Sequence, residues 1–145
     1  MKIFKPLFLL LVISIGSIHF AHSQITVGMY SNGLLHQIGV GTNPENKFFG
    51  EARLLAGDEY NRFFSLEAIG QTYIKRSDWH DVSGGLMMGY HGALDRAKVG
   101  LPFLLAIKPI EAHRNFAIIL EATPMYSYDI ALRGNAGIRY TLGDR

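Results

Sequence analysis

The sequence predicts an all-β fold, an eight-stranded antiparallel up-and-down transmembrane β-barrel preceded by a cleavable signal peptide. In the segment 129–142, even positions are apolar and odd positions are small, polar or cationic. Side chains of a strand alternate between two faces, so this pattern indicates a strand with one apolar side. Seven similar segments precede it, joined by short connections. After residue 24 no apolar stretch reaches the about 20 residues that a transmembrane helix requires.

Residues 1–23 have the features of a secretory signal peptide. Two lysines near the start are followed by an apolar core at 7–15 and by a small-x-small cleavage site that ends at Ser23. This order of a positive, an apolar and a small-residue region is typical of a cleaved leader. We therefore expect a mature barrel domain of residues 24–145. An uncleaved membrane anchor is the alternative, which the short apolar run disfavours.

The first half of the mature chain contains four of the alternating segments. An Asn-Gly pair at 32–33 separates the first two, and this pair supplies the positive φ of a tight hairpin. An Asn-Pro pair at 43–44 breaks the alternation before the third segment, and a Gly-Asp-Glu turn at 57–59 precedes the fourth and longest. The predicted strands are 25–30, 34–41, 47–56 and 60–74.

The second half contains four more segments, of which the sixth has an uninterrupted apolar row. Pro102 lies on the other row of that segment. Proline cannot donate a hydrogen bond to a neighbouring strand, so we expect a bulge or a bend there. Eight consecutive strands can close into a barrel, which removes exposed edges. These strands are predicted at 82–91, 97–107, 115–126 and 129–142.

Alternation alone does not decide whether the apolar row faces inward or outward. The polar row is rich in small residues, which fit the narrow interior of an eight-stranded barrel. It also carries three Glu and three Arg at mid-strand, and buried charges are tolerated when they are paired. We predict an outward apolar face and a structural charge cluster in the lumen; a carboxylate site for acid–base chemistry or ion passage is the alternative. The predicted cluster comprises Glu51, Arg53, Glu67, Glu121, Arg133 and Arg139.

Aromatic residues near the ends of the predicted strands fit the girdles that flank the apolar band of a transmembrane barrel. Aromatics are also common in other β proteins, so this signal is supporting only. The residues concerned are Tyr30, Phe48, Tyr60, Phe64, Trp79, Tyr90, Tyr126, Tyr128 and Tyr140.

Two segments resemble a known family. The closing Gly-Ile-Arg-Tyr-Thr-Leu at 137–142 resembles the final strand of bacteroidete outer-membrane barrels, and Glu-Ala-Thr-Pro-Met-Tyr at 121–126 resembles their penultimate strand. By this pattern the chain resembles the small outer-membrane barrels of the outer-membrane protein A and X kind. The resemblance implies location in the cell outer membrane, with its lipid and lipopolysaccharide as partners. It also implies insertion by the barrel-assembly machinery, which reads the C-terminal strand.

Composition excludes several classes of function. The chain has 14 basic and 12 acidic residues, and two of the basic ones lie in the expected leader, so the mature chain is near neutral. A nucleic-acid partner is therefore not expected, because such proteins usually present a basic face. There is no cysteine, and the histidines lack metal-ligand spacing, so we expect neither a metal nor a cofactor.

Three functions remain open at this level. The favoured one is a non-enzymatic integral outer-membrane barrel with a structural role in the envelope, its lumen closed by Glu/Arg ion pairs. The second is an enzyme that modifies lipid A or phospholipid and uses His91 with Ser83, or His36 with Ser31. The third is a soluble, secreted, lipocalin-like carrier with an apolar cavity.

Overall fold

The computed structural model describes residues 24–57, 64–92 and 95–143. The predicted signal peptide at 1–23 lies outside these ranges, as do the turn at 58–59 and the first residues of the predicted fourth strand. A short 3-10 helix, Glu111–His113, precedes the eighth strand segment. The strand segments are β1 Ile25–Ser31, β2 Leu35–Gly41, β3 Phe48–Gly57, β4 Phe64–Arg76, β5 His80–His91, β6 Arg96–Gly100, β7 Phe103–Ile107, β8 Phe116–Tyr126 and β9 Ile130–Leu142.

The sheet closes on itself. Each strand pairs antiparallel with its neighbour in sequence, and β9 returns to pair with β1 along its whole length. The segments β6 and β7 lie end to end, because both pair with β5 on one side and with β8 on the other. The nine segments therefore form eight wall strands, and the predicted eight-stranded antiparallel up-and-down barrel is confirmed.

Pro102 interrupts the sixth wall strand, at the position where the sequence analysis expects a bulge or a bend. The alignment with β5 continues across the gap without an extra residue, since Met87 pairs with Gly100 and Gly84 with Phe103. Gly85 N donates to Pro102 O at 3.0 Å, but proline has no N–H to return a bond. The result is a two-residue break in the ladder and not a bulge. The irregularity in register lies instead in β4, between Tyr73 and Lys75.

The stagger of the strands fixes the dimensions of the barrel. A path through paired residues once around the wall starts at Phe116 and returns to β8 at Tyr126, ten residues further along. This displacement of ten residues is the shear of the barrel. With eight strands, it corresponds to a strand tilt of about 40° and a wall radius of about 8 Å. The path runs through Phe116, Tyr140, Val27, Val40, Ala52, Ala68, Met88, Val99 and Tyr126.

The polar rows face the lumen and the apolar rows face outward. In β3 the buried positions are those of Phe49, Glu51, Arg53 and Leu55, while the residues between them are partly or fully exposed. The same alternation runs through the other strands. All six residues of the predicted charge cluster are buried inside the wall. Tyr30 is a correction to the predicted girdle: it shares its row with Thr26 and points into the lumen.

Candidate functional site

We call the barrel end where β1, β3, β5 and β8 begin the lower mouth, and the opposite end the upper mouth. The side chains that fill the lumen are the candidate site. Near mid-height, Arg53 lies between two carboxylates, with its Nε 3.1 Å from Glu51 Oε1 and its Nη2 2.7 Å from Glu121 Oε2. Arg53 is completely buried, so these two partners compensate a charge that water does not reach.

A second carboxylate, Glu67, holds two cations. Arg133 donates to both of its oxygens, at 2.6 and 2.9 Å, in the bidentate arrangement that is strongest for this pair of groups. Lys98 Nζ lies 2.5 Å from the same carboxylate. Arg133 also approaches Glu121 at 4.0 Å, which connects the two groups of ion pairs into one network across the lumen.

Neutral polar side chains complete this network. Asn135 donates to Glu121 Oε1 at 2.9 Å and accepts from Gln37 Nε2 at 3.1 Å. The Thr123 hydroxyl donates to the same Glu121 oxygen at 3.0 Å. Glu121 thus accepts bonds from several strands at once, and the network ties β2, β3, β8 and β9 together through their inward side chains.

The observed pairing differs in one respect from the predicted match of three Glu with three Arg. Lys98, which the sequence analysis did not single out, is the third cation of the network. Arg139 lies apart from it, with its guanidinium 5.9 Å from the centre of the Phe49 ring. Tyr30 and Glu51 are its electrostatic neighbours, and no ion pair within 4.0 Å involves Arg139 in the described part of the chain.

Inward glycines provide the space for these side chains. A Cβ at Gly89 would lie 2.8 Å from Lys98 Cε and 2.9 Å from Glu67 Cγ. Gly89 is the register partner of both residues, so the two charged chains meet across it. At Gly137 a Cβ would lie 2.6 Å from the Tyr30 ring. The small residues of the polar row therefore leave the space that the large inward side chains beside them occupy.

Apolar side chains also fill the lumen. One buried apolar cluster comprises Tyr30, Leu104, Ala106, Ala117 and Ile119. On the inward row of β4, the buried Ile69 lies between Glu67 and Gln71. The lumen is thus packed by both charged and apolar side chains.

The lower mouth contains a second, smaller group of charges. Asp81 lies 2.7 Å from Lys108 Nζ and 4.0 Å from Arg76 Nε. Arg76 stacks on the Tyr73 ring at 4.1 Å and donates through Nη2 to Pro44 O at 2.7 Å. The connection between β2 and β3 is therefore fastened over this end of the barrel.

The structure separates one of the two candidate catalytic pairs. Ser83 and His91 are both inward on β5, but eight residues apart, which is about 26 Å at the rise of a strand. They cannot share a proton, and this pair is not a catalytic unit. Ser31 and His36 are direct partners across β1 and β2, on the outward side, and Ser31 Oγ accepts a bond from Gly33 N at 3.2 Å.

The outward surface is apolar between two levels of aromatic residues. Between these levels, the outward strand positions that the structure describes carry no Asp, Glu, Lys or Arg. Phe103 is the one aromatic side chain exposed between the levels in this part of the chain. The lower level comprises Phe48, Trp79, Phe116 and Tyr140, and the upper level comprises Phe64, Tyr90, Tyr126 and Tyr128.

Comparisons with known proteins add no assignment. No family model, curated protein or solved structure matches the chain. Within the described residues, no group of three or more His, Asp or Glu side chains is arranged to hold a metal ion. In the same residues, no helix has the length and apolar character needed to cross a membrane.

Proposed function

We propose that the protein is an integral barrel of the bacterial outer membrane with a non-enzymatic, structural role in the envelope. The observation that carries the proposal is the uncharged outward wall between two aromatic levels. Phe116 and Tyr126 mark these levels on one strand, ten residues apart. At the tilt derived above, their separation along the barrel axis is about 25 Å, which equals the height of the apolar band of outer-membrane barrels.

The outward wall is much more apolar than the surface of a soluble monomer. Soluble proteins rarely expose a contiguous apolar patch larger than a few hundred Å². Here a complete circuit of the wall, from Phe116 to Tyr126, passes only through apolar residues. A lipocalin-like carrier would require the opposite orientation, with apolar side chains around an internal cavity. Lipid is the environment that fits this surface.

The filled lumen supports a structural role over transport. Eight strands leave an interior just wide enough for side chains, and channels require many more strands. The ion network and the buried side chains of Ile69, Leu104 and Ile119 occupy this interior. The proposed partners are therefore outer-membrane lipid and lipopolysaccharide on the outside, and the barrel-assembly machinery, which would engage β9 before it closes on β1.

Fractionation of producing cells tests the proposal directly. We expect the protein in the outer-membrane fraction, released only by detergent, with a gel mobility that changes on heating. Recovery in the periplasm or the medium without detergent would refute it.

The lipid-modifying alternative has a separate readout. Mass analysis of lipid A and phospholipid compares the parent strain with a deletion strain and with His36→Ala and His91→Ala variants. A structural protein leaves these lipids unchanged in all four strains. A modification that disappears in the deletion strain and in either variant would identify an enzyme.

A further inference from the structure

The lower mouth encloses a small cavity with an excess of basic residues in its lining. Its volume is about 30 Å³. A buried water needs about 10–15 Å³ of such space, so the cavity admits two or three waters or one small oxyanion. The charged residues of the lining are Glu45, Arg76, Asp81, Lys108, Arg114 and Arg139.

Most of these cations have a partner. The Asp81 carboxylate lies 2.7 Å from Lys108 Nζ and 4.0 Å from Arg76 Nε. Arg114, at the rim, donates to the Asp78 carbonyl at 2.9 Å and lies 3.7 Å from the Asp78 carboxylate. Of the four basic residues in the lining, Arg139 is the most deeply buried, and no ion pair within 4.0 Å involves it in the part of the chain that the structure describes.

Arg139 is buried without a sufficient set of acceptors. It is 6% exposed, and its Nε and Nη2 atoms have no hydrogen-bond acceptor among the described residues. Tyr30 and Glu51 are its neighbours within the chain, but buried N–H groups of a cation that lack acceptors are costly, so a further acceptor from outside the chain would be stabilising. Nε–H and one N–H of Nη2 point in the same direction along one edge of the guanidinium. This edge matches two oxygens of a single phosphate or carboxylate.

The cavity is a pocket and not an open surface. Arg76 donates to Pro44 O at 2.7 Å and to Glu45 O at 3.0 Å, and the Tyr73 hydroxyl donates to Pro44 O as well. These bonds hold the β2–β3 connection against the barrel end. Arg76 and Arg114 remain partly exposed, which leaves a cationic entrance beside the buried Arg139.

We propose that this cavity, which we call the lower-mouth anion site, binds a small tetrahedral oxyanion of the phosphate class. Arg139 donates to two of its oxygens through the Nε–Nη2 edge, and Lys108 and Arg76 supply the surrounding positive charge. The phosphate can be free in solution or belong to a lipid head group, because the same chemistry recognises both. The site does not depend on the membrane assignment, since it is built from the inward residues of the barrel end.

Phosphorus NMR of inorganic phosphate tests the site on the protein as purified from cells in detergent. We expect saturable broadening of the phosphate signal. Arg139→Gln should weaken the apparent affinity at least tenfold, whereas Arg139→Lys, which keeps the charge, should lose less. The matched control is Arg96→Gln, which removes one positive charge at the upper mouth, where Arg96 stacks on Tyr128 at 4.8 Å. Arg96→Gln should bind phosphate like the parent.

A second arm distinguishes the source of the phosphate. The same variants are placed in nanodiscs of phosphatidylcholine with or without phosphatidic acid, and the melting temperature is measured. Stabilisation by phosphatidic acid that Arg139→Gln abolishes identifies a lipid phosphate, whereas an effect of inorganic phosphate alone identifies a free anion.

A null result in both arms overturns the proposal. Equal binding by the parent and Arg139→Gln, or no binding by either in both arms, means that the cavity holds only water. If Arg139→Gln does not fold, phosphate binding and stabilisation by phosphatidic acid are measured on Lys108→Gln instead, and the same results support or overturn the proposal.

Discussion

Replacing an outward residue by arginine at two heights of the wall discriminates between lipid and water as the surrounding medium. Leu86 is 67% exposed and lies on β5 four residues from Tyr90 of the upper aromatic level, about 10 Å nearer the middle of the wall. Ile130 is 86% exposed and pairs directly with Tyr126 of that upper level. In a bilayer, arginine costs about 2–4 kcal/mol at the midplane of a barrel and about 0–1 kcal/mol near the interface.

Leu86→Arg should therefore lose about 2–3 kcal/mol more than Ile130→Arg, if lipid surrounds the wall. In water, both substitutions are made at exposed positions and should stay within about 0.5 kcal/mol of the parent. The assay is urea unfolding of the protein in phosphatidylcholine vesicles, followed by gel mobility without heating, with the midpoint compared at constant slope. Equal midpoints for the two variants would refute the assignment of the outward face to lipid.

Two further predictions concern the lumen, and the same unfolding assay measures both. Glu67→Gln removes the counter-charge of Lys98 and the bidentate partner of Arg133, which keeps only its 4.0 Å approach to Glu121, and should cost about 3–5 kcal/mol. Asp78→Asn, at the exposed ion pair of the rim, should cost less than about 1 kcal/mol. A similar loss in both would contradict the network. Gly89→Ala inserts a methyl group against the side chains that meet there and should cost about 1–3 kcal/mol. The control Gly70→Ala, which meets nothing within 4 Å, should be neutral or gain up to about 1 kcal/mol, and no difference between the two would refute the packing argument.

The strand framework could be predicted from the sequence because each strand is two-sided. In 129–142 the alternation needs no knowledge of neighbours, and the closing strand is observed as Ile130–Leu142. Proline removes a hydrogen-bond donor wherever the partner strands lie, so an irregularity at Pro102 could be predicted, but its form is a break in the ladder and not the expected bulge or bend. The predicted ends of several strands differ from the observed ends by one or two residues. The fifth strand, for example, is predicted to begin at residue 82 and begins at His80, because His80 pairs with Ile107 on the neighbouring strand.

The pairing inside the lumen could not be predicted in the same way, because it depends on the stagger between strands. Glu67, Gly89 and Lys98 form one row across three strands, and this row exists only at the observed register. The position of Lys98 on a polar row was visible in the sequence, and a glycine on the intervening strand was the signal that a large pair could meet there. Arg139 has the same inward orientation as Arg133, but its register partners on the two neighbouring strands, Gly28 and Ala117, carry no charge.

The lumen charges also have a consequence for register. A slip of β9 by one residue would exchange its two faces, because the period of a strand is two. In a bilayer, Arg133 and Arg139 would then face lipid, each at a cost of up to about 2–4 kcal/mol, depending on depth. The same slip would bring Leu132 and Ile138 into the lumen and break the bidentate pair of Arg133 with Glu67, measured at 2.6 and 2.9 Å. An all-apolar lumen would leave the two faces of β9 much more alike, so the ion network distinguishes the closed barrel from its slipped alternatives even where its net contribution to stability is small.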